Sequence, residues 1–161
     1  MIDIEFPDQS VRSYEAGVTP FEIASSISEG LARNVLSAKF NGQTVESVTP
    51  LQENGKIQLF TWNDKEGKTA FWHSSAHVLA QALLALYPEC KLTIGPAIEN
   101  GFYYDADFGD HSITEKELVE IENKFLEFAR QKFEFKMRSA SKVEALAYYK
   151  QEDNPFKTEL I

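Results

Sequence analysis

The run from Ile2 to Ile27, IDIEFPDQSVRSYEAGVTPFEIASSI, decides the reading of the first part of the chain. IDIEF is a short extended run, Pro7-Asp8-Gln9-Ser10 is turn chemistry, and VRSYE is extended again. Thr19 is then a natural N-cap, Pro20 suits the first helical position, and Glu22, three residues after the cap, completes a capping box. Working outward, NVLSAKF and QTVESV are joined by Asn41-Gly42, a hairpin signal, and a second turn at Asn54-Gly55 leads into KIQLFT. Two strands, a helix and further strands predict a small ubiquitin-like β-grasp domain over residues 1–62. Any other small α+β domain is the alternative on pattern alone.

Asn63 to Lys68, NDKEGK, is charged and turn-rich, and marks the boundary to a second region, 63–161. From about Thr69 to Leu86, Val78, Leu79, Ala82, Leu83 and Leu86 recur at helical spacing, and Tyr87-Pro88 ends the run. KLTIGPAI and FYYDADF read as two strands joined at Asn100-Gly101. Phe102, Tyr104, Ala106 and Phe108 then share one face, with Tyr103, Asp105 and Asp107 on the other. Thr114 with Glu117 opens a helix whose core face is Leu118, Ile121, Phe125 and Phe128. The alternation in KFEFKM predicts a strand with Phe133, Phe135 and Met137 inward. Ser141 with Glu144 opens another helix, Asp153-Asn154-Pro155 turns, and FKTELI is a short β-like run. The fold class is α+β throughout.

Composition narrows the function. Net charge is −9, with 4 basic against 8 acidic residues up to Trp62 and 12 against 17 beyond it. Nonspecific phosphate binding wants a basic surface, so composition argues against DNA as a partner, and any RNA role must rest on a specific site or on further parts of a larger protein. No apolar run has the roughly 18 to 20 residues of a membrane span, and MIDIEFPDQS carries acids where a signal peptide would carry bases. The single cysteine, Cys90, can form neither an internal disulfide nor a structural zinc cluster, which suits a reducing, cytoplasmic setting. Cys90 reads as a small buried hydrophobe, and His111, in a turn, as surface.

His73 and His77 stand four residues apart in FWHSSAHVLAQALLALYP, so a helix projects both from one side, about 5 to 6 Å apart at the β-carbons. That suits two ligands of one metal, or a donor and an acceptor gripping one substrate. HSSAH lacks the glutamate after the first histidine that a zinc protease needs, which argues against that chemistry. The bland alternative has His73 capping the helix and His77 hydrogen-bonded in a partly buried face. Tyr104 is core by default, and Lys157 is by default a solvated lysine.

HSSAHVLAQAL followed by IGPAIENGFYYD resembles the second N-terminal domain of bacterial-type threonyl-tRNA synthetases, where an HxxxH motif and an IGP…NGFYYD hairpin occur in this order. The preceding region, including SEGLARNVLSAKFNG, is similar to the TGS domain that opens those enzymes, so the likeness covers essentially the whole chain. It implies a domain that hydrolyses serine wrongly attached to threonine tRNA. Serine is threonine minus a methyl, worth only about 1 to 3 kcal/mol in a binding pocket, so a second sieve is needed. The resemblance implies His73 positioning the terminal ribose or the attacking water, His77 in the site wall, Tyr104 shaping the pocket, and Lys157 stabilising charge at the ester or orienting water.

The family's second signature, a Cys and a His four apart, has no counterpart here. The resemblance therefore implies an N-terminal fragment with a truncated editing domain, inactive by itself. The ATP, magnesium, threonine and zinc sites of the catalytic core and the anticodon-binding domain would lie outside it. With two ligands of a usual four, His73 and His77 would bind zinc weakly at most. Faces carrying Leu83, Phe125 and Phe135 are expected to lie bare, favouring self-association or fraying after about Ser139. A free-standing deacylase acting on mischarged tRNA and a TGS-type regulatory or ligand-binding module without catalysis are the competing readings.

Overall fold

Thr19 opens the first helix as its capping box requires: its Oγ1 accepts the Glu22 N–H at 3.2 Å, and the Glu22 carboxylate accepts the Thr19 N–H at 2.8 Å. The computed structural model describes residues 1–133, 135 and 138–161. It separates into two units, Met1–Phe71 and Trp72–Ile161.

In the first unit, β1 (Ile2–Glu5) pairs antiparallel with β2 (Val11–Tyr14), and α1 (Pro20–Ile27) and α2 (Glu29–Asn34) lead to β3 (Ser37–Phe40), β4 (Gln43–Glu46) and β5 (Gly55–Phe60). β3 is antiparallel to both β4 and β5, and β5 lies parallel to β1, which gives the sheet order β2-β1-β5-β3-β4. One parallel pair at the centre of two hairpins, crossed over by helix, is the β-grasp arrangement the sequence predicts. Asn41 and Gly42 both take positive φ, as a two-residue hairpin turn demands. Ile2, Ile4, Ile23, Ala38, Phe40, Leu51 and Ile57 form one core. The short α2 was not expected; Ser28 caps it by accepting the Leu31 N–H.

α3 (Lys65–Leu86) starts earlier than the expected Thr69, inside the stretch read as a linker. Asp64 makes the entry, accepting the Thr61 N–H at 2.7 Å and the Thr61 hydroxyl at 3.1 Å. Gly67 allows the helix to pass the Thr61 carbonyl, because a β-carbon there would lie 2.0 Å from that oxygen. Charged, turn-rich composition is thus compatible with a helix start, since Lys and Glu are good helix formers and Asp an end residue. His73 consequently sits about two turns inside α3 and cannot be its cap.

In the second unit, the expected hairpin is two short ladders. β6 (Lys91–Leu92) pairs with β9 (Ala106–Asp107), and β7 (Ala97–Ile98) with β8 (Gly101–Phe102). Between them the Thr93 N–H bonds the Asp105 carbonyl and the Asp105 N–H bonds the Ile94 carbonyl, both at 2.9 Å. Pro96 has no N–H to give, so the ladder breaks beside it. The face alternation survives: Phe102, Tyr104, Ala106 and Phe108 are half-buried, and Tyr103, Asp105 and Asp107 exposed.

α4 (Glu115–Gln131) carries the Thr114–Glu117 capping box. It buries Ile121 and half-buries Phe125 and Phe128, but leaves Leu118 at 56% exposure. A left-handed Lys132 ends it. Phe133 and Phe135 are exposed, contrary to the inward placement expected of them, while Glu134, Lys136 and Met137 of the KFEFKM expectation lie outside the described residues. α5 (Lys142–Gln151) begins at its expected box. FKTELI is not β-like. It lies in α6 (Pro155–Leu160), because Asn154 is an N-cap and Pro155 a first-turn proline. Ala80, Leu83, Cys90, Leu92 and Ile121 make the second core. Leu83, expected to lie bare, is buried there at 5% exposure.

Candidate functional site

The helical spacing of His73 and His77 brings their rings together on α3. The two Nε2 atoms are 3.1 Å apart and the rings meet edge to face, with centroids 4.6 Å apart. Such a contact is a hydrogen bond only if one nitrogen donates and the other accepts, so at least one imidazole is neutral. His77 is an exposed residue, and partial desolvation of its ring, followed by the neighbouring His73 and then the charge of Lys157, holds its pKa below the usual imidazole range. The site thus keeps a free-base imidazole at neutral pH, able to accept a proton. The Phe135 ring flanks His77, with centroids 6.3 Å apart.

Lys157 comes from α6, half-buried, and burial holds its ammonium below the usual lysine value. Its position is set by Asn154, whose Oδ1 accepts the Lys157 N–H at 3.0 Å. Tyr104 comes from the loop between β8 and β9. Burial raises its phenol pKa, with smaller contributions from Tyr149 and Cys90, so the hydroxyl stays protonated and can donate. A β-carbon at Gly95 would stand 2.4 Å from the Tyr104 ring and 3.2 Å from the Ala76 methyl. The missing side chain at Gly95 is what lets the Tyr104 ring pack close to α3, one residue before His77.

Of the four residues expected at the site, the histidines touch each other, Lys157 acts on His77 through its charge, and Tyr104 packs beside Gly95 and Ala76 on the hairpin. Sequence reasoning missed Gly95, Asn154 and Phe135 as neighbours of these groups. For Asn154 a signal existed, the Asn-Pro helix start; for Gly95 only the packing reveals it.

Among the described residues, no group of three or more His, Cys, Asp or Glu could hold a metal ion. Among the described residues the imidazole pair supplies half of a tetrahedral zinc set. Cys90 is buried, its thiol pushed up by burial and then by Asp107, which makes it a core residue. His111 lies at the surface but has a partner: its Nε2 is 2.7 Å from the Glu117 carboxylate. The Thr114 hydroxyl and N–H, with His111, hold Glu117 down at about 2. No described helix is long and apolar enough to cross a membrane.

The TGS domain family model matches residues 2–61. Proteins named threonine-tRNA ligase match the chain from end to end: 60% identity in Flavobacterium johnsoniae over 161 residues, 52% in Cytophaga hutchinsonii, and 48% in Bacteroides thetaiotaomicron. Each match covers 100% of this chain and 24% or 25% of the relative, so the chain spans about a quarter of the length of the curated relatives it matches. The chain is therefore similar over its whole length to about a quarter of each of these threonine-tRNA ligases, and its residues 2–61 match the TGS domain family.

Proposed function

We propose that this chain forms part of a threonine-tRNA ligase and that its second region, residues 63–161, serves hydrolytic editing of serine mischarged on threonine tRNA. The observation that carries the reading is the 3.1 Å imidazole pair with the Lys157 ammonium acting on it. Ester hydrolysis needs a base to hold water or a ribose hydroxyl and a positive group where the oxyanion develops. A neutral imidazole and a half-buried ammonium match those needs. His73 positions the terminal ribose or the attacking water, His77 forms the wall behind it, Lys157 stabilises charge at the ester, and Tyr104 limits the pocket. A site too small for threonine's extra methyl is the second sieve.

The tRNA is held by other parts of the ligase, which also supply the ATP, magnesium and zinc of aminoacylation; this acidic region receives only the 3′ end. The setting is cytoplasmic. Half-exposed Phe135 and exposed Leu118 and Phe133 support weak self-association of the isolated chain, read by sedimentation as a mass rising with concentration. Serine-charged threonine tRNA hydrolysis, measured on the 161 residues and on a chain extended to the relatives' full length, tests the central reading. Activity confined to the extended chain and lost in His73→Ala is expected. Wild-type hydrolysis in His73→Ala would remove that histidine's role, and activity in neither chain would favour a TGS-type binding module.

A further inference from the structure

α6 is a short helix at the end of the described chain, and a six-residue helix has little stability of its own. Its place depends on what ties it down. Asn154 makes one such tie and starts the helix as well: its Nδ2 donates to the Leu92 carbonyl of β6 at 3.0 Å, while within α6 its Oδ1 accepts the Lys157 N–H at 3.0 Å and its carbonyl the Thr158 hydroxyl at 2.9 Å. The amide orientation is fixed by these partners, because only the oxygen can accept and only the nitrogen can donate. Leu92 is itself buried at 7% exposure, so the anchor belongs to the second core. One residue earlier, Lys91 Nζ donates to both the carbonyl and the carboxylate of Asp153. That carboxylate is 93% exposed, and an exposed ion pair contributes little. Asn154 thus supplies the half-buried tie, and Asp153 the exposed one.

We propose, resting on the editing role given above, that Asn154 is a positioning residue: it fastens the backbone of Lys157 to β6 and so sets where its ammonium stands. The cap alone would only start a helix; the bond to Leu92 decides where that helix stands. Asn154→Ser separates the two functions, because serine still caps but cannot reach the Leu92 carbonyl, whereas Asn154→Ala loses both.

The test is serine-tRNA hydrolysis by the full-length chain carrying Asn154→Ser or Asn154→Ala, each also combined with Lys157→Met. A misplacement of about 1 Å costs on the order of 100-fold, so both single variants are expected to lose about 10- to 100-fold in kcat with KM little changed. Neither should cause further loss beside Lys157→Met. Wild-type kcat in Asn154→Ser, or an equal loss with and without Lys157, would overturn the proposal. An independent readout uses the 161 residues without substrate. At pH 8 the His77 ring resonances should move in Lys157→Met and move likewise in Asn154→Ser; unmoved resonances in Asn154→Ser would count against the tie even if its activity fell. Wild-type hydrolysis in Lys157→Met would remove the lysine's role in editing, and the ring resonances would then decide the tie alone.

Discussion

The two units solve the same problem with unequal means. The first closes one core under a five-stranded sheet whose central strand, β5, is paired on both edges. The second has only two ladders of two residues each, and its core forms where α3 and α4 meet the hairpin and the residue before it, Cys90. The polar pair, the half-buried lysine and the half-buried phenol all lie in the second. The continuous sheet takes its buried backbone donors into the ladder, and the polar groups it desolvates are the Ser37 hydroxyl and part of the Tyr14 phenol. A scaffold of helix and broken hairpin leaves gaps, and the gap beside Gly95 and Ala76 is where Tyr104 packs.

That contrast can be broken most forcefully by truncating one core at a time. Ile23→Ala in the first unit and Leu83→Ala in the second should each cost about 2 to 5 kcal/mol. Each should lower a separate thermal transition seen by calorimetry, leaving the other in place. A single transition shifted by both would show that the units unfold together.

Gly95→Val comes next. A side chain there meets the Tyr104 ring, and overpacking of this kind costs about 1 to 3 kcal/mol. Denaturant unfolding should show that loss in the second unit only, with serine-tRNA hydrolysis by the full-length chain reduced as Tyr104 is displaced. Unchanged stability would mean the hairpin gives way without strain.

Removing one hydroxyl from each unit sharpens the comparison further. Thr19→Ala and Thr114→Ala each delete the cap that accepts the N3 N–H, at about 1 kcal/mol apiece. Their pH behaviour should differ in degree. Glu117, held down at about 2, contributes stability present above its ordinary value near 4.5 and lost as pH falls towards 2. Thr114→Ala should flatten that acid-side decline, read by acid titration of circular dichroism. Glu22 is lowered by Thr19 alone, whereas His111 also holds Glu117, so Thr19→Ala should flatten a shallower decline.

His77 gives the smallest effect, because its ring is partly exposed. Its folded pKa lies below the ordinary imidazole value, so the folded state resists protonation, and stability should fall as pH drops through about 6.5. His77→Gln should remove that step near pH 6. A step of the same size in the variant would locate it in another group.

Local rules carried a good deal of this architecture. Three of the Ser and Thr residues followed three places later by Glu, namely Thr19, Thr114 and Ser141, open a helix at the position their spacing announces, because the box satisfies donors within four residues; Ser26 and Ser112 share the spacing and do not. The Asn41-Gly42 turn and the alternation from Phe102 to Phe108 were equally legible. Where the first reading failed, near and distant partners both had a part. NDKEGK became helix through Asp64 and the Gly67 contact with Thr61, and FKTELI became helix through Asn154, whose side chain also needs a carbonyl 62 residues away. KFEFKM has the period of a strand, yet among its described residues Phe133 and Phe135 are exposed rather than inward.

At the candidate site the same division holds. The sequence by itself determined that His73 and His77 share a face, since 3.6 residues per turn allows nothing else once the segment is helical. It determined the acidic balance and, by resemblance, the kind of reaction to look for. Only the tertiary structure decided that Lys157, 80 residues further on, lends its charge to His77, and that Gly95 makes room for the Tyr104 ring. Those relations depend on where separate elements dock, and docking is set by buried surface and by single ties such as Asn154 to Leu92, which leave no periodic trace in the chain.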